Sequence, residues 1–159
     1  MPYKSADMSL LLPTFRPKVQ TVLDRMKARG FDPVMFCGHR TPEEALRNAA
    51  KKTGIVKSMH LYDAAADIIC NVHGWACSTK KGGDHGFFKA LGEEVIATGS
   101  VWGGDWNSNH RQEEHDTDLV HMQGVDATPE AQNAMRALGT GEESRDARDA
   151  LVQKHYARR

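Results

Sequence analysis

The sequence predicts an α+β fold, a small and mainly antiparallel sheet flanked by helices. Short apolar runs with strand character are interspersed with longer segments of helical periodicity, without the regular strand–helix–strand rhythm of a parallel sheet. The chain has 159 residues, which suits one domain, and no internal repeat divides it. Its 40% hydrophobic and 26% charged residues are typical of a globular protein. We therefore expect a single domain over residues 1–159.

Five segments carry helical signals. In the second, Thr41 is the expected N-cap, Pro42 takes the first helical position and Glu44 completes a capping box. Glycines placed after the periodic stretches predict several of the helix ends. The predicted helices cover residues 13–29, 42–52, 84–99 and 128–139, and a fifth begins at Arg145. This last helix has few sizeable apolar groups, so we expect it to be a solvated C-terminal tail.

Four apolar runs predict strands. They are short, rich in β-branched or aromatic residues, and bounded by glycine or polar segments. The third of them runs into a glycine turn. The predicted strands cover residues 33–37, 64–72, 100–106 and 119–123.

Charge and hydropathy exclude several classes of protein. The formal net charge is zero, so no overall field attracts nucleic acid or an anionic membrane. No apolar run approaches the roughly 20 residues of a membrane span. The apolar triplet 10–12 is too short for a secretory signal. We expect a monomer that is made in the cytoplasm, with no nucleic-acid partner and no stable membrane insertion.

The three cysteines do not form a motif. Cys37, Cys70 and Cys77 are odd in number and lack a CxxC pair. We expect reduced thiols and no cysteine-based zinc site.

A candidate metal set stands out among the eight histidines. His60 precedes a predicted strand, Asp67 lies on that strand, and His121 lies on another strand that can pair beside it. Two histidines and one carboxylate suit a catalytic zinc ion, which keeps one coordination position open. Asp118 lies three residues before His121 and can reach the open position. By spacing alone, the same residues are also compatible with surface histidines and one hydrogen-bonded aspartate.

Four motifs, in order, sharpen this hypothesis. Residues 58–67 (SMHLYDAAAD) resemble the S-x-H-x-x-G-x-A-x-D motif of the D-alanyl-D-alanine carboxypeptidase and L-alanyl-D-glutamate endopeptidase family, which are zinc peptidases of bacteria and phages. Residues 118–121 (DLVH) are similar to its second metal motif, and residues 38–41 (GHRT) to its G-x-R-[ST] element. Residues 101–106 (VWGGDW) resemble a stretch of the endopeptidase branch, which includes phage endolysins. The resemblance covers about residues 10–125 and leaves 128–159 as a helical tail.

The resemblance implies a role for each matching residue. One Zn²⁺ per chain would be held by His60, Asp67 and His121 on the sheet face. Asp118 would be the general base, and Arg40 would stabilise the oxyanion or bind a substrate carboxylate. The candidates for substrate contact are Ser58, Trp102 and Trp106.

Alternatives remain open at several of these residues. Ser58 is equally suited to ordering the loop before His60, at least one of the two tryptophans to core packing, and Arg40 to an ion pair with Glu43 or Glu44. Asp105 is a candidate hydrogen-bond partner of a ligand histidine. Two positions depart from the family pattern: Asp63 replaces a glycine, and Ala45 replaces a glutamine. If the backbone at residue 63 needs a positive φ, aspartate tolerates it better than most residues.

The implied activity is hydrolysis of the L-alanyl-D-glutamate bond in bacterial peptidoglycan by a phage-type endolysin. The enzyme would reach the cell wall after release through a membrane lesion. One alternative is a D-Ala-D-Ala carboxypeptidase, and another is a non-catalytic, zinc-bearing module that binds the cell wall or belongs to a virion.

Overall fold

The computed structural model describes residues 3–50, 58–77, 86–107, 109 and 118–159. Within this part of the chain the five predicted helices are present. A 3-10 turn, Met59–Tyr62, lies between the second helix and the sheet. The helices are α1 (Arg16–Ala28), α2 (Pro42–Ala50), α3 (Phe87–Ala97), α4 (Pro129–Ala137) and α5 (Arg145–Ala157). In the described residues, no helix is both long and apolar enough to cross a membrane.

Local capping explains where two of these helices begin. At α2 the Thr41 hydroxyl accepts the N–H of Glu44, and the Glu44 carboxylate accepts the N–H of Thr41. The predicted capping box is therefore confirmed. At α4 the Thr128 hydroxyl accepts the N–H of Ala131. The predicted cap of α3, Asp84, lies outside the described residues.

The sheet is antiparallel and four-stranded in the described residues, which confirms the α+β prediction. Its strand order is β1-β2-β4-β3, so β2 and β4 occupy the centre. β3 is shorter than predicted because the chain turns at Gly103. The strands are β1 (Pro33–Cys37), β2 (Ala65–Cys70), β3 (Val101–Trp102) and β4 (His121–Gln123).

A β-bulge in β1 shifts the pairing of its last residues. Met35 pairs with Ile68, but the next pair is Cys37 with Asp67, so Phe36 is an extra residue. Without this bulge Phe36 would face Asp67 across the ladder. Bulges are common next to functional sites because they redirect side chains.

The C-terminal helix α5 is part of the folded core, so the prediction of a solvated tail is wrong. Val152 is fully buried. Asp149 accepts hydrogen bonds from both the backbone N–H and the hydroxyl of Thr14. The hydroxyls of Tyr156 and Ser100 lie 2.6 Å apart. Polar contacts to distant segments hold this helix, and apolar periodicity does not detect such contacts.

Asp63 connects α5 to the turn that carries His60. Its backbone has φ 60°, in the left-handed region that favours glycine. Its carboxylate lies 2.6 Å from Nδ1 of His39, 3.0 Å from Nη1 of Arg145 and 3.6 Å from Nη2 of Arg148. The Arg148 side chain is only 1% exposed, so this carboxylate compensates a buried positive charge. We call Asp63 and its three partners His39, Arg145 and Arg148 the Asp63 clasp.

We predict that Asp63→Gly lowers the free energy of unfolding by about 3 kcal/mol, the low end for breaking a buried ion pair. The low end applies because Arg148 keeps oxygen partners at Gly139, Gly141 and Ser144. Glycine keeps the left-handed backbone, so this variant isolates the lost carboxylate. Asp63→Ala adds about 1–2 kcal/mol of backbone strain. Urea unfolding of both variants measures these losses, and wild-type stability of Asp63→Gly would contradict the clasp.

Candidate metal centre and cleft

One row across the sheet carries three residues able to bind a metal. Cys37 on β1 pairs with Asp67 on β2, and Asp67 pairs with His121 on β4. Residues directly opposite one another on neighbouring strands have adjacent side chains. His60 approaches this row from the turn Met59–Tyr62, and its side chain is 2% exposed. The expected pairing of the strands that carry Asp67 and His121 is confirmed.

The donor atoms of Cys37, His60 and Asp67 lie within 4.8 Å of one another, which is compatible with a bound metal ion. The second histidine is equally near, because Nδ1 of His121 lies 3.2 Å from Oδ1 of Asp67. Nε2 of His60 lies at the same distance from that oxygen. Sequence reasoning missed Cys37, because its place opposite Asp67 depends on the bulge at Phe36.

The outer nitrogen of His60 is fixed by the backbone. Nδ1 of His60 lies 2.8 Å from the carbonyl oxygen of Gly38, which can only accept a hydrogen bond. Nδ1 therefore carries a hydrogen, and Nε2 is the nitrogen that faces Asp67 and that a metal ion would use in place of its proton. The Ser58 hydroxyl accepts the backbone N–H of His60 and caps the turn. Ser58 thus orders the segment before His60, and it also lines the cleft described below.

Gln123 fixes the second histidine in the same way. The side-chain amide of Gln123 donates to the carbonyl of Val125 at 2.9 Å, so its oxygen is the atom that faces Nε2 of His121, also at 2.9 Å. Nε2 of His121 therefore donates to Gln123, and Nδ1 is the nitrogen that faces Asp67. Such outer partners normally orient metal-binding histidines. Asp105 was the sequence candidate for this task, but the acceptors found at the two histidines are Gln123 and Gly38. Gln123 lies two residues after His121 on the same strand, so both side chains lie on one face of the sheet. This spacing is the sequence signal that could have identified Gln123.

Charge reinforces the geometry of the pair His60 and Asp67. Burial opposes the charged form of His60, but the neighbouring Asp67 carboxylate outweighs it and raises the pKa of His60 well above its usual value. Burial alone would raise the pKa of Asp67, yet His60 and His121 hold it well below its usual value. Asp67 is therefore an ionised carboxylate between two imidazole nitrogens, an arrangement suited to a cation.

Asp118 lies at the edge of this group. Its Oδ2 is 3.8 Å from Nδ1 of His121, and its side chain is 50% exposed. Burial raises the pKa of Asp118, the positive charge of His121 opposes this, and the negative charge of Asp67 raises it again. A carboxylate with a raised pKa, close to the other donors and still open to solvent, can accept a proton.

The glycine-rich stretch 101–106 positions Asp118. The backbone of Gly103 donates to the carbonyl of His121 and accepts the N–H of Asp118. A Cβ at Gly103 would overlap the carbonyl oxygen of Asp118, so no larger residue allows this approach. The glycine at position 103 therefore allows the close backbone contact that positions Asp118.

The two tryptophans of this stretch have different surroundings. The ring of Trp106 lies 5.2 Å from that of His121 and lines the cleft. Trp102 packs over Gly92 and Gly104, and its indole N–H donates to the carbonyl of Leu119. Trp102 is absent from the cleft lining formed by the described residues. Its position is that of a packing residue and gives no support to a substrate contact.

The candidate metal-binding residues His60, Asp67 and His121 line a cleft of about 990 Å³. Arg40 lines this cleft, and its Nη2 donates to Sγ of Cys37 at 3.5 Å. The backbone N–H of Arg40 donates to the carbonyl of His60. Among the described residues, no carboxylate forms an ion pair with Arg40, and the Glu44 carboxylate is used by the α2 cap. The described contacts therefore do not include the alternative ion pair of Arg40 with Glu43 or Glu44.

A scan against protein-family models gives no match, and a search of curated proteins likewise gives none.

Proposed function

We propose that this chain is a zinc-dependent peptidase that hydrolyses the L-alanyl-D-glutamate bond in the stem peptide of bacterial peptidoglycan, as an endolysin does. One observation carries the proposal: two imidazole nitrogens, both oriented by outer partners, lie 3.2 Å from the same oxygen of Asp67. Zinc bonds of 2.0–2.2 Å in a tetrahedral site place neighbouring donor atoms about 3.3 Å apart. The ordered motifs of the sequence support the choice of substrate.

The three proposed zinc ligands are His60, Asp67 and His121, and Cys37 is left outside this set. Sγ of Cys37 lies 3.7 Å from Nδ1 of His60. That nitrogen already donates to Gly38, so His60 could share a metal with Cys37 only through Nε2. Three protein ligands also leave a fourth position open, as a catalytic site requires.

The proposed mechanism assigns a task to each remaining group. A zinc ion held by His60, Asp67 and His121 would act as a Lewis acid and would lower the pKa of water toward about 7. Asp118 takes a proton from the attacking water and passes it to the leaving amine. Arg40 donates to the oxygen that gains charge on the attacked carbonyl, or holds a carboxylate of the stem peptide.

Digestion of purified peptidoglycan, followed by mass spectrometry of the released muropeptides, tests this function. Cleavage between L-alanine and D-glutamate is the expected result. Release of terminal D-alanine would instead identify a carboxypeptidase. Zinc binding without any hydrolysis would favour the non-catalytic wall-binding or virion module.

We predict that Arg40→Ala retains zinc and loses about 100-fold or more in kcat/KM on a defined stem peptide. Lysine keeps the charge but lacks the planar two-pronged donor, so Arg40→Lys should not restore activity. A fall in kcat with unchanged KM indicates transition-state stabilisation, whereas a rise in KM indicates a substrate carboxylate. Steady-state kinetics decides between them, and wild-type kinetics of Arg40→Ala would remove Arg40 from the site.

A further inference from the structure

An exposed aromatic pair stands at the mouth of the same cleft. Phe36 is 41% exposed and Trp75 is 51% exposed, two of the five large hydrophobic side chains that are exposed among the described residues. Their ring centroids are 4.7 Å apart, at an interplanar angle of 78°. Both rings line the cleft that contains His60 and Asp67. Exposed apolar groups gathered at a cleft indicate a contact surface for a ligand.

Tyr3 packs against both rings of the pair. The Tyr3 ring contacts both Phe36 and Trp75 edge to face, with centroid distances of 6.0 Å. Its backbone N–H donates to the side chain of Asn71. Gly74, at φ 58°, leaves room for the Tyr3 hydroxyl, which a Cβ at that residue would overlap. The turn that presents Trp75 is thus packed on the same ring that supports Phe36.

The bulge in β1 places Phe36 next to the candidate metal centre. Phe36 is the extra residue of the ladder, and the following residue, Cys37, faces Asp67. The aromatic pair therefore begins one residue from the row that carries Asp67 and His121. A ligand group in contact with Phe36 and Trp75 therefore occupies the same cleft as His60 and Asp67.

We propose that Phe36 and Trp75 form a platform for the muramyl sugar ring to which the stem peptide is attached, with one aromatic ring facing the sugar and the other meeting its edge, because their planes lie 78° apart. This inference rests on the proposed function. A pyranose ring presents apolar C–H groups on one face, and the face of an aromatic ring carries negative charge that attracts them. One alanine and one lactyl group separate the L-alanyl-D-glutamate bond from that sugar, a reach of about 7 Å at full extension. The terminal D-alanine bond lies several residues further away.

The test compares the kinetics of the full chain, loaded with zinc, on two substrates. One is an N-acetylmuramyl stem peptide, and the other is the same peptide with an acetyl group in place of the sugar. Phe36→Ala and Trp75→Ala should each raise KM for the muramyl substrate about tenfold, as loss of a stacking contact does. Neither should change the kinetics on the acetyl peptide. Val72→Ala, a 60% exposed residue that does not line the cleft, is the matched control.

Each outcome bears on the platform or on the function separately. Equal kinetics of wild type and both variants on the muramyl substrate, or equal losses on both substrates, would overturn the platform and leave the peptidase function standing. If wild type cleaves neither substrate, the proposed function fails. The platform is then tested by titrating the uncleaved muramyl peptide against tryptophan fluorescence. A response in wild type that Trp75→Ala lacks would support the platform, and an unchanged response would refute it.

Discussion

His121→Ala should bind no zinc and hydrolyse no peptidoglycan, whereas Cys37→Ala should bind about one zinc per chain. Nδ1 of His121 and Nε2 of His60 both lie 3.2 Å from Asp67, and removing either nitrogen leaves two protein ligands. Cys37 lies beside the outer nitrogen of His60, so its loss leaves all three proposed ligands in place. The difference between these two variants separates the proposed set of His60, Asp67 and His121 from the donor group of Cys37, His60 and Asp67.

Elemental analysis after dialysis measures the zinc content of both variants. Zinc retained by His121→Ala but lost by Cys37→Ala would assign the metal to Cys37, His60 and Asp67 instead. Circular dichroism of the metal-free variants controls for folding. Gln123→Leu extends the test, since loss of an outer partner typically lowers metal affinity about 10–100-fold without removing a ligand.

Asp118→Asn should keep its zinc and lose about 10²–10⁴-fold in turnover, the usual cost of a missing acid–base group. Asparagine has nearly the shape of aspartate but cannot accept the proton of the attacking water. The 50% exposed side chain of Asp118 stands beside the three proposed ligands and is not one of them. The loss should therefore appear in kcat, with zinc stoichiometry unchanged.

Asp67→Asn is the matched control, because it changes the carboxylate that lies between the two imidazoles. It should lose zinc as well as activity. If Asp118→Asn loses zinc as readily as Asp67→Asn, the roles of ligand and base are exchanged. Normal turnover of Asp118→Asn would remove Asp118 from the chemistry altogether.

The parts of this molecule that follow from local rules could be predicted from the sequence. The hydroxyl of Thr41 and the carboxylate of Glu44 form the expected capping box because both partners lie within one helical turn. The two apolar runs predict that the strands carrying Asp67 and His121 can pair, but the register that sets these two residues opposite each other comes from the structure. The left-handed backbone of Asp63 agrees with the glycine found there in the family that the motifs resemble.

Features that depend on distant contacts could not be predicted. Cys37 reaches the metal-binding row only because a bulge moves it by one position, and no local residue pattern specifies that bulge. The place of α5 depends on single ion pairs and hydrogen bonds, such as Asp149 with Thr14, across 135 residues of sequence. Trp102 packs inward because two glycines make room for its ring.

The Asp63 clasp has a thermodynamic consequence for the whole chain. Asp63 directly follows the turn that carries His60, and its carboxylate contacts Arg145 and Arg148 on α5. A metal that binds only when this turn is formed would stabilise the turn and also the contacts between Asp63 and α5. By thermodynamic reciprocity, a change that loosens α5 should lower the affinity for the metal by the same coupling free energy. Because Asp63 links this turn to α5, we expect zinc binding at the proposed site to slow amide exchange in α5.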